Sequence, residues 1–467
     1  MIRVKALMCD RADARRMMTM SNRLSRWTLL FFACALVNLL AAEGLILAGL
    51  TWPTRATSTP GTLVAVHLLT IGWLLLLMLG ALFQFVPVIT SKPLVSQRFA
   101  LATLVAVQCG LIGMICSFLG LGGESSIHAV ALPIGGAAVL VGVLIASWNI
   151  GVPLLRARPV SLPGRMVLTG LAFLIVTVML GLAFALALSV PALAPDLARL
   201  LAGVGDHALA GLGGWFTLAA MGVSYKLLPM FMLAPEERGF TGECVHVLGT
   251  IGFALAVAAG LAAIWLPVQL LRVGEMIGYG AIASTVLIYL WDVLRMYRTR
   301  KRAVIEAHNR AAVGAFVLLG IATGLGVSSF GSGTLEARGP VVVFLVLFGW
   351  LGGLGLTQLY KIVPFLTWLG RYGSSLGRGA VPRVQDLVKE SRSYPWFASY
   401  FLGVLIAALS LLIGWPHAFR ACFALMTVAT VGLAIEYWRA WRGHYVHPTP
   451  AAPAPPPFLS SKEVDHG

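Results

Sequence analysis

The sequence predicts an all-α membrane protein of about twelve transmembrane helices in three pseudo-symmetric arcs of four. Three observations predict it. The apolar residues come in blocks long enough to cross a bilayer. The basic residues alternate between one inter-block segment and the next. One motif recurs three times, four blocks apart.

Composition comes first. The chain is 58% hydrophobic and 11% charged, where a soluble domain carries about 25% charged residues. Apolar blocks of about 18 or more residues read as spanning helices. Lipid forces each backbone polar group to find its partner within its own helix. The expected partner is therefore the bilayer. The net charge of +16 would also suit nucleic acid. However, the charges lie in short segments between apolar blocks, which is how membrane topology is encoded, so no nucleic-acid partner is expected.

Residues 1–26 form a basic tail with Arg3, Lys5, Arg11, Arg15, Arg16, Arg23 and Arg26. The apolar block that follows is too long for a signal-peptide core, and reads as a retained first span. The spans are expected at 27–50, 62–89, 99–121, 128–150, 166–189, 204–233, 244–266, 271–294, 311–332, 339–366, 395–415 and 417–438. They fill one membrane domain over 27–440, with repeats at 27–150, 166–294 and 311–438. The segment 441–467 is Pro-rich and expected to be a disordered cytoplasmic tail.

Orientation follows from Lys and Arg. With the N-terminal tail in the cytoplasm, the cytoplasmic segments hold 7, 2, 3, 1, 6, 5 and 3 of them in chain order. The outer connections hold only Arg55, Arg199, Arg272, Arg338 and Arg420. This bias supports both termini inside a bacterial-type inner membrane, and it would fail downstream if one span were split or merged. The densest basic segment, 295–310, reads as a topology anchor, or alternatively as a contact for anionic lipid.

The repeat is the most informative feature. Gly72-Trp73, Gly80, Phe83, Gln84 and Pro87 match Gly214-Trp215, Gly222, Tyr225, Lys226 and Pro229. They also match Gly349-Trp350, Thr357, Tyr360, Lys361 and Pro364. Trp, the small residue, Gln or Lys, and Pro fall within about 60° of one another on a helix and make one stripe. The small residue permits close approach of a neighbouring helix. Lys226 and Lys361 are expected to snorkel toward headgroups. Trp148-Asn149, Trp291-Asp292 and Trp438-Arg439 close the units. Three units of four do not fit the two six-helix halves of major-facilitator transporters.

Histidines and buried acids are the candidates for chemistry. His67 lies near the outer end of the second span, and His207 begins the sixth beside Asp206. A neutral imidazole ligates haem iron or copper, and is tolerable in lipid when it is paired. Asp206 is either a carboxylate that tunes His207 as a metal ligand or a helix cap. Asn38 and Glu43 of the first span are expected to form a polar cluster with His67. Glu275 is expected to pair with Arg272 one turn away. Relative to their Trp residues, His67 stands at −6 and His207 at −8. That is about 200° on a helix, so the repeat predicts that they face different channels.

The architecture and the run His207, Trp215, Met221-Gly222, Tyr225 and Pro229 resemble subunit I of the haem-copper oxidases. The run also looks like those of short relatives of the cytochrome-c-oxidase branch and of NnrS-like proteins. The resemblance covers about residues 27–440. It implies that His67 is an axial ligand of haem b, with His207 as a further haem or copper ligand. Departures are clear. The tenth span has Val341–Val346 where the family carries its haem-ligating His residues. The seventh has only His246, at its cytoplasmic end, where the family carries a copper pair. Terminal oxidase and nitric-oxide reductase activities are therefore not expected. Three functions stay open. One is a non-oxidase relative that binds haem b or copper for metal or haem handling or nitric-oxide stress. Another is a secondary transporter or channel that uses the inter-arc spaces. The third is a structural or assembly factor for a respiratory complex, without a cofactor. The protein partner expected is a respiratory complex or a metal-handling protein.

Overall fold

The computed structural model describes residues 2–52, 59–120, 127–190, 192–193, 197–236, 239–375 and 381–446, without the side chains of 2–23, 127–129 and 268. The Pro-rich tail beyond 446, with its expected disorder, lies outside the described residues, as does the side chain of His128.

Among the described residues, twelve helices are long and apolar enough to cross a membrane. They are α1 (Leu24–Leu47), α2 (Pro60–Thr90), α3 (Arg98–Leu119), α4 (Val130–Arg156), α5 (Leu162–Ser189), α6 (Ala198–Met232), α7 (Phe240–Ala262), α8 (Gln269–Thr299), α9 (Ala307–Gly331), α10 (Leu335–Ser375), α11 (Glu390–Ile413) and α12 (Pro416–Arg442). No strand occurs among the described residues. The basic tail expected at 1–26 is helical from Ile2 and runs straight into α1.

The helices carrying the repeated stripe are the inner ones. The most apolar stretches of α2, α6 and α10 are 61%, 78% and 67% buried, against 33–44% in the other nine. Nine helices therefore present one side to lipid, while three stand in the middle. Neighbours in sequence pack together, and α1 returns against α10 and α12 to close the ring.

Small residues set the close approaches. A Cβ on Gly72 would meet Asn38 of α1 at 2.7 Å, and one on Gly80 would meet Phe31, two turns away, at 2.8 Å. In the second arc the same positions, Gly214 and Gly222, meet Phe173 at 2.4 Å and Met166 at 2.7 Å on α5. Each inner helix thus leans on the first helix of its own arc. The third and fourth helices also meet through glycine. A Cβ on Gly110 would sit 2.6 Å from the Gly135 carbonyl oxygen, and Gly252 and Gly278 face each other likewise in the second arc.

This contrast gives a test. Gly135→Ala, whose Cβ would lie 2.7 Å from a backbone carbonyl oxygen, should cost about 1–3 kcal/mol through overpacking. Gly113→Ala meets nothing closer than 3.6 Å and should melt like the wild type in detergent. Equal losses would sink this account of the interface.

The fourth helix of each arc is pinned at the basic end of the bundle. Asn149 accepts the Ser96 backbone N–H at 3.0 Å. Asp292 accepts the hydroxyls of Tyr225 and Thr241, each at 2.8 Å. Glu436 pairs with Arg439 at 2.6 Å and Arg392 at 3.4 Å, and accepts the Tyr445 hydroxyl at 2.7 Å. In the third arc the buried residue is thus Glu436, not the Arg439 that follows Trp438. Position 436 lies three residues, nearly one turn, from the equivalent of Asp292, so it presents nearly the same face. Trp148, Trp291 and Trp438 are all exposed to the lipid side, as suits interfacial aromatic residues.

Candidate functional site

Each inner helix widens into a π-helical stretch in the same register. These stretches are Leu68–Leu75, Ala210–Thr217 and Leu345–Gly352. Each starts at the fifth residue before its Trp and ends at the second after it (68 and 75 around 73; 210 and 217 around 215; 345 and 352 around 350). A π-turn is rare and re-aims the residues that flank it. Trp73, Trp215 and Trp350 are among the largest fully buried side chains. The Trp residues of the stripe are therefore core residues.

Each stretch has a carbonyl that a side chain occupies. Asn38 donates to the Gly72 carbonyl at 3.2 Å, Thr217 to Leu212 at 2.8 Å, and Tyr400 to Phe348 at 2.9 Å. Asn38 also donates to Gln108 at 3.0 Å. Asn38 is therefore committed to a π-turn and to α3.

Glu43 is fully buried and turns elsewhere. Its Oε1 accepts the Thr430 hydroxyl of α12 at 3.0 Å, and its Oε2 has no hydrogen-bond partner. The structure does not join Asn38, Glu43 and His67 in the expected cluster. Five residues on a helix is about 500°, which puts Asn38 and Glu43 about 140° apart. One faces the first arc and the other the third.

His67 directly precedes the first π-helical stretch. Its Nδ1 lies 2.7 Å from the Leu63 carbonyl oxygen. A carbonyl only accepts, so Nδ1 carries the proton and Nε2 keeps a free lone pair. The ring stacks at 4.9 Å on Phe118 of α3. His207 packs edge-on to Phe184 of α5 at 5.5 Å, and Gly181 leaves room for its Cε1 at 3.1 Å from where a Cβ would stand. The His207 Nδ1 is buried without a partner. The two imidazoles lie close enough to interact electrostatically. The repeat had predicted separate channels. A 200° difference does turn them in opposite senses within the repeat frame. Because α2 and α6 belong to adjacent arcs, opposite senses bring both rings toward the boundary between those arcs.

Asp206 does not serve His207. Its carboxylate presses against Gly260 of α7, where a Cβ would come within 1.9 Å, and it lies in the field of Glu275. Asp206, expected as a metal ligand beside His207, is thereby turned toward α7 and α8. Glu275 forms no ion pair with Arg272 among those of the described residues. His246 is held at 3.1 Å by Thr169.

One cluster escaped the sequence reading. Glu306, just before α9, accepts Lys361 of α10 at 2.5 Å, pairs with Arg302, and lies 3.5 Å from His308 Nδ1. Lys361 is thereby engaged by Glu306, and Lys226 pairs with Glu236 at 2.5 Å. The i,i+4 spacing of Arg302 and Glu306 was visible in the sequence, but the partner on α10 was not.

Among the described residues, no three His, Cys, Asp or Glu side chains converge in a way that could hold a metal ion. At the boundary of the first two arcs the donors are His67, with one lone pair free, and His207, with Nδ1 unpartnered; His246 Nδ1 and His308 Nε2 are buried without partners elsewhere. No known family model matches the chain, and no characterised protein matches it.

Proposed function

We propose that this membrane protein holds a b-type haem between α2 and α6 through His67 and His207, and is a non-oxidase member of the haem-copper scaffold class. The observation that supports this reading is the pair of imidazoles at the arc boundary, one with its tautomer set by Leu63 and the other with Nδ1 buried and unpartnered. A zinc or copper(II) ion takes three or four protein donors in its usual sites. A haem brings four of its own and asks the protein for one or two. The donor count therefore favours haem over a zinc or copper(II) site. A haem held by two imidazoles supplies one-electron transfer, which suits haem handling, electron passage or nitric-oxide stress rather than oxygen reduction. The chain's own contribution is to orient His67 through Leu63 and to seat it against Phe118. We place the protein in a bacterial-type inner membrane with both termini cytoplasmic, next to a respiratory or metal-handling partner.

The test is a reduced-minus-oxidised spectrum with metal analysis of protein purified in mild detergent from haem-replete, copper-replete cells. The wild type should carry stoichiometric haem with a Soret band. His67→Ala and His207→Ala should each lose it while remaining folded. Folded wild type with neither haem nor copper would overturn the proposal.

A second reading, proton-coupled transport, draws on one observation: Glu43 is a fully buried acid with Oε2 unpartnered. Intramembrane acids commonly mark ion paths. Under that reading, Glu43→Gln abolishes substrate-dependent flux and leaves any haem spectrum intact.

A further inference from the structure

We infer that the cavity on the pseudo-three-fold axis binds a lipophilic molecule carrying one hydroxyl or undissociated carboxyl group, held by both atoms of the Gln358 amide. This site is separate from His67 and His207, and neither proposal depends on the other.

The cavity lies between α2, α6 and α10 and has a volume of about 80 Å³. It begins at Leu74, Phe216 and Leu351, the residues that follow the three Trp, and runs down the axis past Ala81, Val223 and Gln358. These last three are the same position in each repeat, eight residues after Trp (73 to 81, 215 to 223, 350 to 358). Two arcs place Ala and Val on the axis. The third places a primary amide there.

That amide has no partner. Neither Oε1 nor Nε2 of Gln358 reaches solvent or a hydrogen bond. The other polar residue on the wall, Ser224, gives its hydroxyl proton to the Ala220 carbonyl of its own helix at 2.7 Å. An amide buried without a partner is costly, so its presence at an otherwise apolar position calls for one. Water is a poor candidate, because a buried water needs about two to four polar partners and this wall offers one free amide.

The donor and acceptor inventory narrows the occupant. A ketone or ester would satisfy Nε2 and leave Oε1 bare. An ammonium would satisfy Oε1 and leave Nε2 bare. A hydroxyl or undissociated carboxyl both donates and accepts, and so satisfies the whole amide. The apolar walls require the rest of the molecule to be hydrocarbon. A cavity of about 80 Å³ takes the head and the first few carbons of such a molecule, given that a single water occupies about 10–15 Å³ on the same measure. The cavity is partly open, which leaves the remaining chain a way out. Both a long-chain alcohol and a fatty acid drawn from the bilayer carry this chemistry.

The experiment uses full-length protein in detergent with two photoreactive probes, a diazirine-bearing hexadecanol and the matching hexadecanoic acid. Adducts are mapped by mass spectrometry. In the wild type, labelling should saturate and should fall on α2, α6 and α10. Unlabelled hexadecanol should compete, and dodecane should not. The probe that labels identifies the source, alcohol or acid. Gln358→Leu should weaken labelling at least about tenfold, since both hydrogen bonds to the amide are lost. Ala81→Phe, which fills the cavity, should abolish it. The haem spectrum should be unchanged in both variants. Unsaturable labelling confined to lipid-facing positions would overturn the inference. So would equal competition by dodecane, which needs no variant to fold, or labelling unaffected by Gln358→Leu.

Discussion

Gly214→Leu is expected to leave almost no folded protein in the membrane. Gly214 sits in the second π-helical stretch, and a Cβ there would lie 2.4 Å from Phe173 of α5. The obstacle is the root of an aromatic ring, since Phe173 Cβ itself would be 2.9 Å away, so a rotamer change gives no relief. The α6 helix is the most deeply buried of the twelve and cannot shift outward without disturbing all three arcs. Inserting methylenes into a packed interior costs about 1–3 kcal/mol and occasionally more. For Gly214→Ala we expect a loss in that range, and for Gly214→Leu a loss beyond the stability of an ordinary domain margin. Phe173→Ala should restore much of the Gly214→Ala loss, because the two side chains contend for one space and their effects do not add. Gly280→Leu, where nothing lies within 4 Å of a Cβ, should be tolerated. Melting and detergent gel filtration decide the matter. A Gly214→Leu protein that purifies and melts like wild type would refute the close packing of α6 on α5.

Glu306→Ala should cost about 3 kcal/mol, near the low end of the range for breaking a buried ion pair from one side. The carboxylate is the shared partner of Lys361 and Arg302, and its removal leaves two cations facing each other. Their side chains are 18% and 35% exposed, so water relieves part of the cost. The same residue sets a pH dependence. Burial alone would raise the Glu306 carboxyl. The hydrogen bond and charge of Lys361, with His308 and Arg302, bring it below the ordinary carboxylate range. A group depressed in the folded state contributes stability that is complete above its unfolded pKa and is lost as pH falls through its folded one. The melting temperature of the wild type should therefore hold steady at neutral pH and start to fall below about pH 4.3. The difference between wild type and Glu306→Gln should shrink over the same interval. If that difference is constant from pH 7 to the acid limit, Glu306 does not hold α9 to α10 as a charged group.

The twelve spans were legible because crossing a bilayer is a local demand. A run of apolar residues must match the hydrocarbon thickness wherever it sits in the fold, and the two acids of the eighth span, Glu275 and Asp292, did not prevent α8 from forming over Gln269–Thr299. The three-fold repeat was legible for a similar reason. Trp, small residue and Pro recur at fixed offsets, and the structure turns each recurrence into a π-helical stretch of identical register. What the chain could not show along its length is azimuth across arcs. Glu43 meets Thr430, 387 positions away, and Asn38 meets a π-turn carbonyl and Gln108. Asp206 turns from its neighbour His207 toward Gly260. His67 and His207, two positions apart in the repeat, come within electrostatic range of each other because α2 and α6 look across a shared boundary. Lys361, free to snorkel as far as its own helix shows, is taken by Glu306. Gln358 looks like any polar residue in a row of apolar ones until three helices close around it. Span length, charge bias and repeat period are properties of a helix against its solvent, and sequence alone determines them. Which side chains share a space depends on how three arcs rotate and press together, and only tertiary packing decides that.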